Sequence, residues 1–205
     1  MLKYLTVPLF ALSLSFTACS QAQNATPFSA SVATAQDAKA DGNWNVINTE
    51  SHLKFTAKQQ GNEFTGEFND FDTVIKFDPE NLPTASVTAT IDIGSISAGD
   101  KDRDGALPGK EWFFVKKFPK AVFQSTDFSK TGDDSYEAAG TLSIKGVSQP
   151  LTLPFSLTIT DGIADMNGQV TIDRTLWEVG SGAWSTDEWV STAVVIDVKI
   201  KAEAN

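Results

Sequence analysis

The chain has 205 residues, enough for one domain with a sizeable hydrophobic core. Acidic residues number 26 and basic residues 16, and the formal charge of −10 argues against binding to nucleic acid, which needs a cationic surface. Hydrophobic residues make up 41% of the chain, which is typical of a globular protein. With one His and one Cys, the sequence offers no internal disulfide and no Cys/His zinc site, and a His-dependent catalytic site could use only His52.

Residues 1–18 are typical of a lipoprotein-type secretory signal peptide. Lys3 supplies the positive charge, and the uncharged apolar run at 5–16 is shorter than the roughly 20 residues that cross a bilayer. Phe16-Thr17-Ala18-Cys19 resembles a bacterial lipobox, so Cys19 is the predicted lipidation site. By the same resemblance, Ser20 after the Cys points to the outer membrane. The alternative is ordinary cleavage after Ala22.

Residues 19–42 are predicted to form a flexible linker. They are rich in Ala, Ser, Gln, Asn and Thr, with no sustained apolar period. Such a segment buries too little apolar surface to offset the entropy of ordering it. The folded domain is therefore expected to cover residues 43–205, tethered to a membrane through the N-terminal lipid anchor.

From Trp44 onward, apolar and polar residues alternate, which predicts β-strands with one apolar face. The pattern is clearest at 151–159, and it recurs at 64–68, 75–77, 87–93, 142–144, 170–172 and 194–200. About eight strands joined by mostly short turns predict an all-β fold, either an antiparallel barrel or a sandwich. An eight-stranded barrel is either filled by side chains or holds one small ligand, and the periodicity leaves both open.

The segment at 98–119 breaks the alternation and ends in an aromatic cluster. It predicts one or two short helices that cover an opening of the barrel. Asp100, Asp102, Asp104 and Glu111 have the spacing of calcium-loop ligands. A predicted strand rather than a helix precedes the loop, and a Pro interrupts it, so no metal site is predicted.

Several short segments follow one another in a recognisable order. The first are 61–71, Ile75-Lys76-Phe77-Asp78-Pro79, Ile91 to Ser97, and Asp102 to Leu107. After them come Trp112-Phe113-Phe114, Phe118-Pro119, Phe123-Gln124-Ser125, the run from Gly140 to Val147, Thr171 to Arg174, and Gly180 to Trp184. In order and spacing, the chain from about Trp44 to Ala202 resembles the YceI-like family of lipid- and polyisoprenoid-binding proteins. The resemblance implies an eight-stranded antiparallel lipocalin-like barrel whose interior takes a long isoprenoid or acyl chain. Glu50 and Ala106 stand where much of the family has His, so no head-group role is carried over from those positions.

The resemblance and the secretory N-terminus together predict a periplasmic protein, lipid-anchored to the outer membrane. We expect it to bind or transport an isoprenoid of the quinone or polyprenyl type, or another long-chain lipid, without a cofactor and without catalysis. The branch that the chain most resembles often occurs beside membrane di-haem b-type cytochromes, which makes such a cytochrome a candidate partner. The alternative is a non-catalytic structural or interaction module with a filled core. A hydrolase ranks last, because no nucleophile–base pair is visible.

Strand parity and the aromatic cluster predict which side chains contact the lipid. They are Phe55, Phe64, Phe68, Ile91, Ile93, Trp112, Phe113, Phe114, Phe118, Leu142, Leu153, Phe155, Leu157 and Ile172. His52 has the opposite parity to Phe55 and is expected to face solvent.

Charged residues and tryptophans near the predicted ends of the barrel are not expected to bind a ligand. Arg103 and the Asp173-Arg174 pair could meet a polar head group, but solvated surface charges are the default. Trp177, Trp184 and Trp189 are expected to cap one end of the barrel.

Overall fold

The computed structural model describes residues 43–205. The predicted signal peptide, the lipidation site at Cys19 and the linker lie outside the described residues. The strands are β1 (Trp44–Val46), β2 (His52–Gln59), β3 (Asn62–Phe68), β4 (Phe71–Lys76), β5 (Ser86–Asp92), β6 (Ile96–Ser97), β7 (Lys120–Lys130), β8 (Ser135–Ile144), β9 (Val147–Thr160), β10 (Ile163–Asp173) and β11 (Ala193–Ala204). One α-helix, α1, covers Lys101–Ala106. Short 3-10 turns cover Asn48–Glu50, Leu82–Thr84, Ile93–Ser95, Arg174–Trp177 and Gly182–Trp184.

Eight of these strands form a closed antiparallel barrel, in the order β1-β4-β5-β7-β8-β9-β10-β11, and β11 pairs back with β1. The remaining three extend the wall, because β2 pairs with β11, β3 with β2, and β6 with β3. Short interruptions separate β1 from β2, β3 from β4 and β5 from β6. The first three long strands of the barrel are therefore each broken into two pieces. The predicted eight-stranded antiparallel, lipocalin-like barrel is confirmed.

Three tight hairpins set the register of the barrel. Gln60-Gly61 joins β2 to β3, Lys145-Gly146 joins β8 to β9, and Asp161-Gly162 joins β9 to β10. Both residues of each pair have positive φ angles, between 51° and 80°. Two consecutive positive φ angles define the type I′ turn, whose twist matches that of the strands it joins.

Strand β7 is the element that alternation fails to reveal. Its register against β8 shifts between Ser125 and Asp127, as expected of a β-bulge. Ala121 and Phe123 before the shift and Phe128 after it all line the barrel interior, although Phe128 has the opposite parity. The extra residue therefore breaks the two-residue period in the sequence while the strand keeps one apolar face inward.

The wall is interrupted between β6 and β7, since β6 pairs only with β3 and β5 reaches β7 only through Thr88–Asp92. The connection at 98–119 contributes Leu107, Trp112 and Phe113 to the interior. It contains one helix, followed by turns from residue 107 onward. The backbone carbonyl of Glu111 accepts hydrogen bonds from the amides of Gly180 (2.9 Å) and Ser181 (2.7 Å), which fixes the connection to the loop after β10. Within residues 43–205, no helix is long and apolar enough to cross a membrane.

Candidate functional site

The barrel encloses a cavity of about 870 Å³. Packed protein interiors leave few voids larger than one water molecule, which occupies about 30 Å³ in the liquid. The cavity lies within the range of about 300–1,000 Å³ that is usual for small-molecule sites. The open question of a filled or a hollow barrel is therefore answered: the interior is hollow.

Nearly the whole wall is apolar, and the predicted contact residues contribute to it. Of the fourteen nominated side chains, twelve line the cavity. Alternation also places unnominated neighbours on the same strand faces, among them Leu53, Ile75, Val87, Ala89, Leu151, Val170, Ile196 and Val198. The parity of each strand also predicts that these neighbours point inward. Contact of any of these side chains with a ligand stays a prediction.

Phe114 and Phe118 are the two nominated residues that do not line the cavity. Their rings pack edge to face, with centroids 6.1 Å apart. The Phe118 ring lies against the β8–β9 turn, where a Cβ added to Gly146 would come within 2.8 Å of it. Phe114 adopts a left-handed backbone with φ of 49°. The aromatic cluster thus splits between the interior, which receives Trp112 and Phe113, and a small external contact.

An aromatic cluster lies at the end of the barrel where β1 begins and β11 ends. The ring centroid of Phe77 lies 5.4 Å from Phe128 and 5.7 Å from Tyr136. Phe155 stacks on Tyr136 at 5.5 Å. Such ring pairs contribute about 0.5–1.5 kcal/mol each beyond their burial. This cluster makes that end of the barrel apolar and adds to the stability of the fold.

The polar part of the cavity wall is concentrated at the opposite end, on the β2–β3 hairpin and at the start of α1. We call this set the mouth: Gln59, Gln60, Asn62, Glu63, Asp100, Asp102 and Arg103. Apart from the mouth, only Thr73 and Arg174 among the described lining residues carry polar side chains. The cavity is therefore an apolar tube with a polar rim at one end.

Arg103 is held rigidly in the mouth. Its Nε and Nη2 donate to the carbonyl oxygen of Ala98 at 3.2 and 3.1 Å, and Nη1 donates to Oε1 of Gln59 at 3.1 Å. The guanidinium carbon lies 4.4 Å from the centroid of the Phe64 ring, a cation–π geometry. The interpretation of Arg103 as a solvated surface charge is wrong, because the side chain is partly buried and lines the cavity.

The interpretation of Arg174 as a solvated surface charge is also wrong, because only 5% of the residue is exposed. Its guanidinium donates to five backbone carbonyls, those of Val179, Gly180, Trp184, Val190 and Ser191. Burial lowers the pKa of Arg174, and the charges of Asp173 and Asp187 oppose that shift. Through these hydrogen bonds the buried guanidinium holds the loops at 174–191 together. Asp173 does not pair with it, and instead accepts hydrogen bonds from Thr175.

Two of the three tryptophans expected to cap the barrel do so. Trp177 is 2% exposed, and its Nε1 donates to the carbonyl of Leu142 at 2.9 Å. Trp184 lines the cavity, packs on Trp112 with centroids 5.6 Å apart, and donates to Oε2 of Glu111. Trp189 is 44% exposed, so the capping prediction is wrong for it.

The calcium-like spacing has a different structural explanation. Asp100 accepts hydrogen bonds from the amides of Asp102 and Arg103 and so caps the N-terminus of α1. The hydrogen bond from the Arg103 amide holds the pKa of Asp100 below its usual value; burial opposes this shift, and the Asp102 amide and the Arg103 charge add to it. Asp104 accepts from the Ala98 amide, and Glu111 accepts from the Trp184 indole. Three of the four spaced carboxylates thus have structural partners.

His52 lies on the outside of the barrel wall, away from the cavity. Its Nε2 is 3.3 Å from Oδ1 of Asp197, and Gln169 donates to the other oxygen of that carboxylate. The prediction that His52 faces solvent is confirmed, with about a third of its side chain exposed. Residues 43–205 contain no cluster of three or more His, Cys, Asp or Glu side chains that could hold a metal ion.

The closed barrel, the hollow apolar interior and the polar mouth define the class of a lipocalin-like barrel with an internal cavity. The sequence profile of the YceI-like domain matches residues 44–202. The chain belongs to the YceI-like family.

Relatives of known sequence include a UPF0312 protein of Yersinia pestis (strain Pestoides F), 36% identical over 132 residues. That match covers 64% of this chain and 66% of the relative, just under two thirds of its length. A UPF0312 protein of Pectobacterium atrosepticum is 37% identical over 106 residues, which are 51% of this chain and 55% of the relative.

Solved structures show the same fold. BcnA of Burkholderia cenocepacia superposes with a TM-score of 0.73 at 30% identity, over 77% of this chain and 99% of BcnA. A polyisoprenoid-binding domain from Saccharophagus degradans, implicated in plant cell wall breakdown, gives 0.64 at 15% identity, over 80% of this chain and 99% of that domain. The YceI protein of Campylobacter jejuni gives 0.62 at 22% identity, over 68% and 84%. The last two likenesses concern the fold alone.

Proposed function

We propose that this protein binds a long-chain lipid of the isoprenoid or acyl type inside its barrel, and that it does so without catalysis. The observation that carries the proposal is the cavity of about 870 Å³ with its almost entirely apolar wall. Family membership and the fold of a domain described as polyisoprenoid-binding support the isoprenoid class.

The energetics of the cavity favour a long apolar tail. Each methylene transferred from water into apolar surroundings contributes about 0.8 kcal/mol. Apart from Thr73 and Arg174, the described wall beyond the mouth offers few polar groups for specific contacts. Affinity would therefore come mainly from tail length, and head-group contacts would be confined to the mouth.

The cellular role in the proposal rests on the sequence. The N-terminal signal and Cys19 support a periplasmic carrier anchored to the outer membrane. A membrane b-type cytochrome is a candidate partner for such a carrier. The non-catalytic part of the proposal is supported by the placement of His52, which bonds to Asp197 on the outer face.

The test is lipid occupancy of the full chain, expressed with its own N-terminus and extracted from the cell envelope in mild detergent. Native mass spectrometry should show one co-purified lipid per chain, and the delipidated protein should take up geranylgeraniol. If the delipidated, folded protein takes up neither geranylgeraniol nor a long-chain fatty acid, the proposal is wrong and the interaction-module alternative gains support.

A matched pair of variants on β9 sharpens the test. Leu153 lines the cavity, whereas its neighbour Thr152 is exposed on the outer face. Leu153→Asp places an unpaired carboxylate in the apolar wall, which is costly to bury beside a lipid tail. Uptake per folded chain should fall strongly for Leu153→Asp and stay unchanged for Thr152→Asp. Equal uptake by the two variants would contradict binding inside the barrel.

A further inference from the structure

Arg103 has hydrogen-bonding capacity that the protein itself does not use. A guanidinium carries five N–H donors. Three of them donate to Ala98 and Gln59, so one N–H on Nη1 and one on Nη2 find no acceptor among residues 43–205. The stack on Phe64 and the two anchoring partners fix the orientation of these free donors.

The other arginine of the cavity wall provides a contrast. Arg174 makes five hydrogen bonds to backbone carbonyls and has no donor left for a ligand. Arg103 is thus the cationic side chain of the described wall that can meet a polar group without giving up a structural bond. It stands at the mouth, where the head of a lipid would lie if its tail filled the apolar tube.

The charge of the mouth limits which head group fits there. Three carboxylates, those of Glu63, Asp100 and Asp102, line the mouth together with the one guanidinium of Arg103. The whole chain adds to this field with its net charge of −10. A phosphate or diphosphate ester would bring further negative charge next to these carboxylates. A neutral oxygen acceptor could take the two N–H donors without that repulsion.

We propose that Arg103 binds the head group of the lipid, and that this head group is uncharged and carries an acceptor oxygen, such as an alcohol or carbonyl, rather than a phosphate. The inference rests on the proposed function and names the substrate class of the same cavity. Gln59 acts as a positioning residue, because it holds Nη1 of the guanidinium.

The experiment compares three probes that share one tail: geranylgeraniol, geranylgeranyl diphosphate and the corresponding hydrocarbon without oxygen. Their binding to the delipidated full chain is measured by native mass spectrometry at low ionic strength. We expect the alcohol to bind more tightly than the diphosphate, and the difference to shrink as added salt screens the mouth.

Two charge-matched variants on α1 separate a head-group contact from a general charge effect. Arg103→Gln should weaken binding of geranylgeraniol by about tenfold, the loss expected for a hydrogen bond to a charged donor, and leave hydrocarbon binding unchanged. Lys101→Gln removes the same charge from an exposed residue of the same helix that does not line the cavity. It should leave the binding of both probes unchanged.

A third variant, Glu63→Gln with Asp102→Asn, tests the charge argument without touching Arg103. It should raise affinity for the diphosphate by a larger factor than affinity for the alcohol. The inference is overturned if Arg103→Gln binds geranylgeraniol like the wild type, if it loses hydrocarbon and alcohol equally, or if the wild type takes the diphosphate as tightly as the alcohol. Failure of all three probes to bind the wild type would instead overturn the proposed function, and the inference with it.

Discussion

Phe155 and Leu153 lie two residues apart on β9 and both line the cavity, but truncation of each should have a different consequence. Phe155 is 8% exposed, and its ring contacts those of Phe77, Phe128 and Tyr136 at centroid distances of 6.3, 6.4 and 5.5 Å. Leu153 is only half-buried and belongs to no such cluster. We therefore expect Phe155→Ala to act on stability, and Leu153→Ala to act mainly on ligand uptake.

The magnitudes follow from burial. Phe→Ala in a packed core costs about 3–5 kcal/mol, and the low end applies here because the Phe155 ring already borders a cavity. Full burial of a Leu side chain contributes about 1.5–3 kcal/mol, so truncation of the half-buried Leu153 should cost about 1 kcal/mol. For a domain of this size, 1 kcal/mol shifts the Tm by about 2–4 °C. The expected decreases in Tm are thus about 6–12 °C for Phe155→Ala and about 2–4 °C for Leu153→Ala.

The assay is thermal unfolding of the delipidated full chain, followed by circular dichroism, with geranylgeraniol uptake per folded chain measured in parallel. Thr152→Asp, on the exposed face of the same strand and opposite Ala139, is the control and should change the unfolding free energy by no more than about 0.5 kcal/mol. The reasoning is refuted if Leu153→Ala destabilises the protein as much as Phe155→Ala while uptake stays at the wild-type level. That result would mean that Leu153 is packed as tightly as Phe155 and that the lipid taken up does not contact it.

Three further predictions concern the anchor, the barrel wall and the buried arginine. Cys19→Ala should move the protein from the membrane fraction to the soluble periplasmic fraction, and identical fractionation would contradict lipidation. Gly66→Ala should destabilise the fold by about 3 kcal/mol or more in denaturant unfolding, because the new Cβ would lie 2.6 Å from the carbonyl oxygen of Ser97, a backbone atom that cannot rotate away. Arg174→Lys keeps the charge but offers three donors to five carbonyls, so it should cost about 3 kcal/mol, and a loss below about 1 kcal/mol would show that the five bonds are not needed.

The sequence predicts those strands and turns of the barrel that depend only on alternation and on local turn signals. Alternation over 151–159 and 194–200 predicts β9 and β11, and the positive-φ pairs at Lys145-Gly146 and Asp161-Gly162 sit where turn signals predict them. The rule fails for β7, because the register shift near Thr126 inverts the parity of the residues that follow. A bulge is defined by the pairing with the opposite strand, so in the sequence alone its broken period cannot be distinguished from the absence of a strand.

The residues of the cavity wall can likewise be divided into those that local sequence rules predict and those that depend on tertiary structure. Parity within a strand determines which side chains point inward, and for this reason alternation predicts that Leu153, Phe155 and Leu157 share one face, as they do in the cavity wall. The aromatic residues of 98–119 follow no period, so the sequence could not show that Trp112 and Phe113 turn inward while Phe118 packs outside against Gly146. Whether the barrel is hollow depends on the sum of side-chain volumes across all eight strands, which no single segment reveals.

Arg103 and Arg174 show most clearly what depends on tertiary structure alone. Each follows an aspartate, Arg103 within the predicted helical connection and Arg174 just after a predicted strand, and local sequence treats both as surface charges. The loops after β10 surround Arg174 with carbonyl groups, which use every donor and convert its charge into a structural support. Within the part of the chain that the structure describes, Gln59, the last residue of β2, is the single side-chain partner of Arg103, and two N–H groups of the guanidinium stay unbonded at the cavity rim. The two guanidinium groups therefore differ in the number of acceptors that the fold brings to them. Arg174 uses all its donors to hold the loops of the barrel together, whereas Arg103 keeps two donors for a ligand.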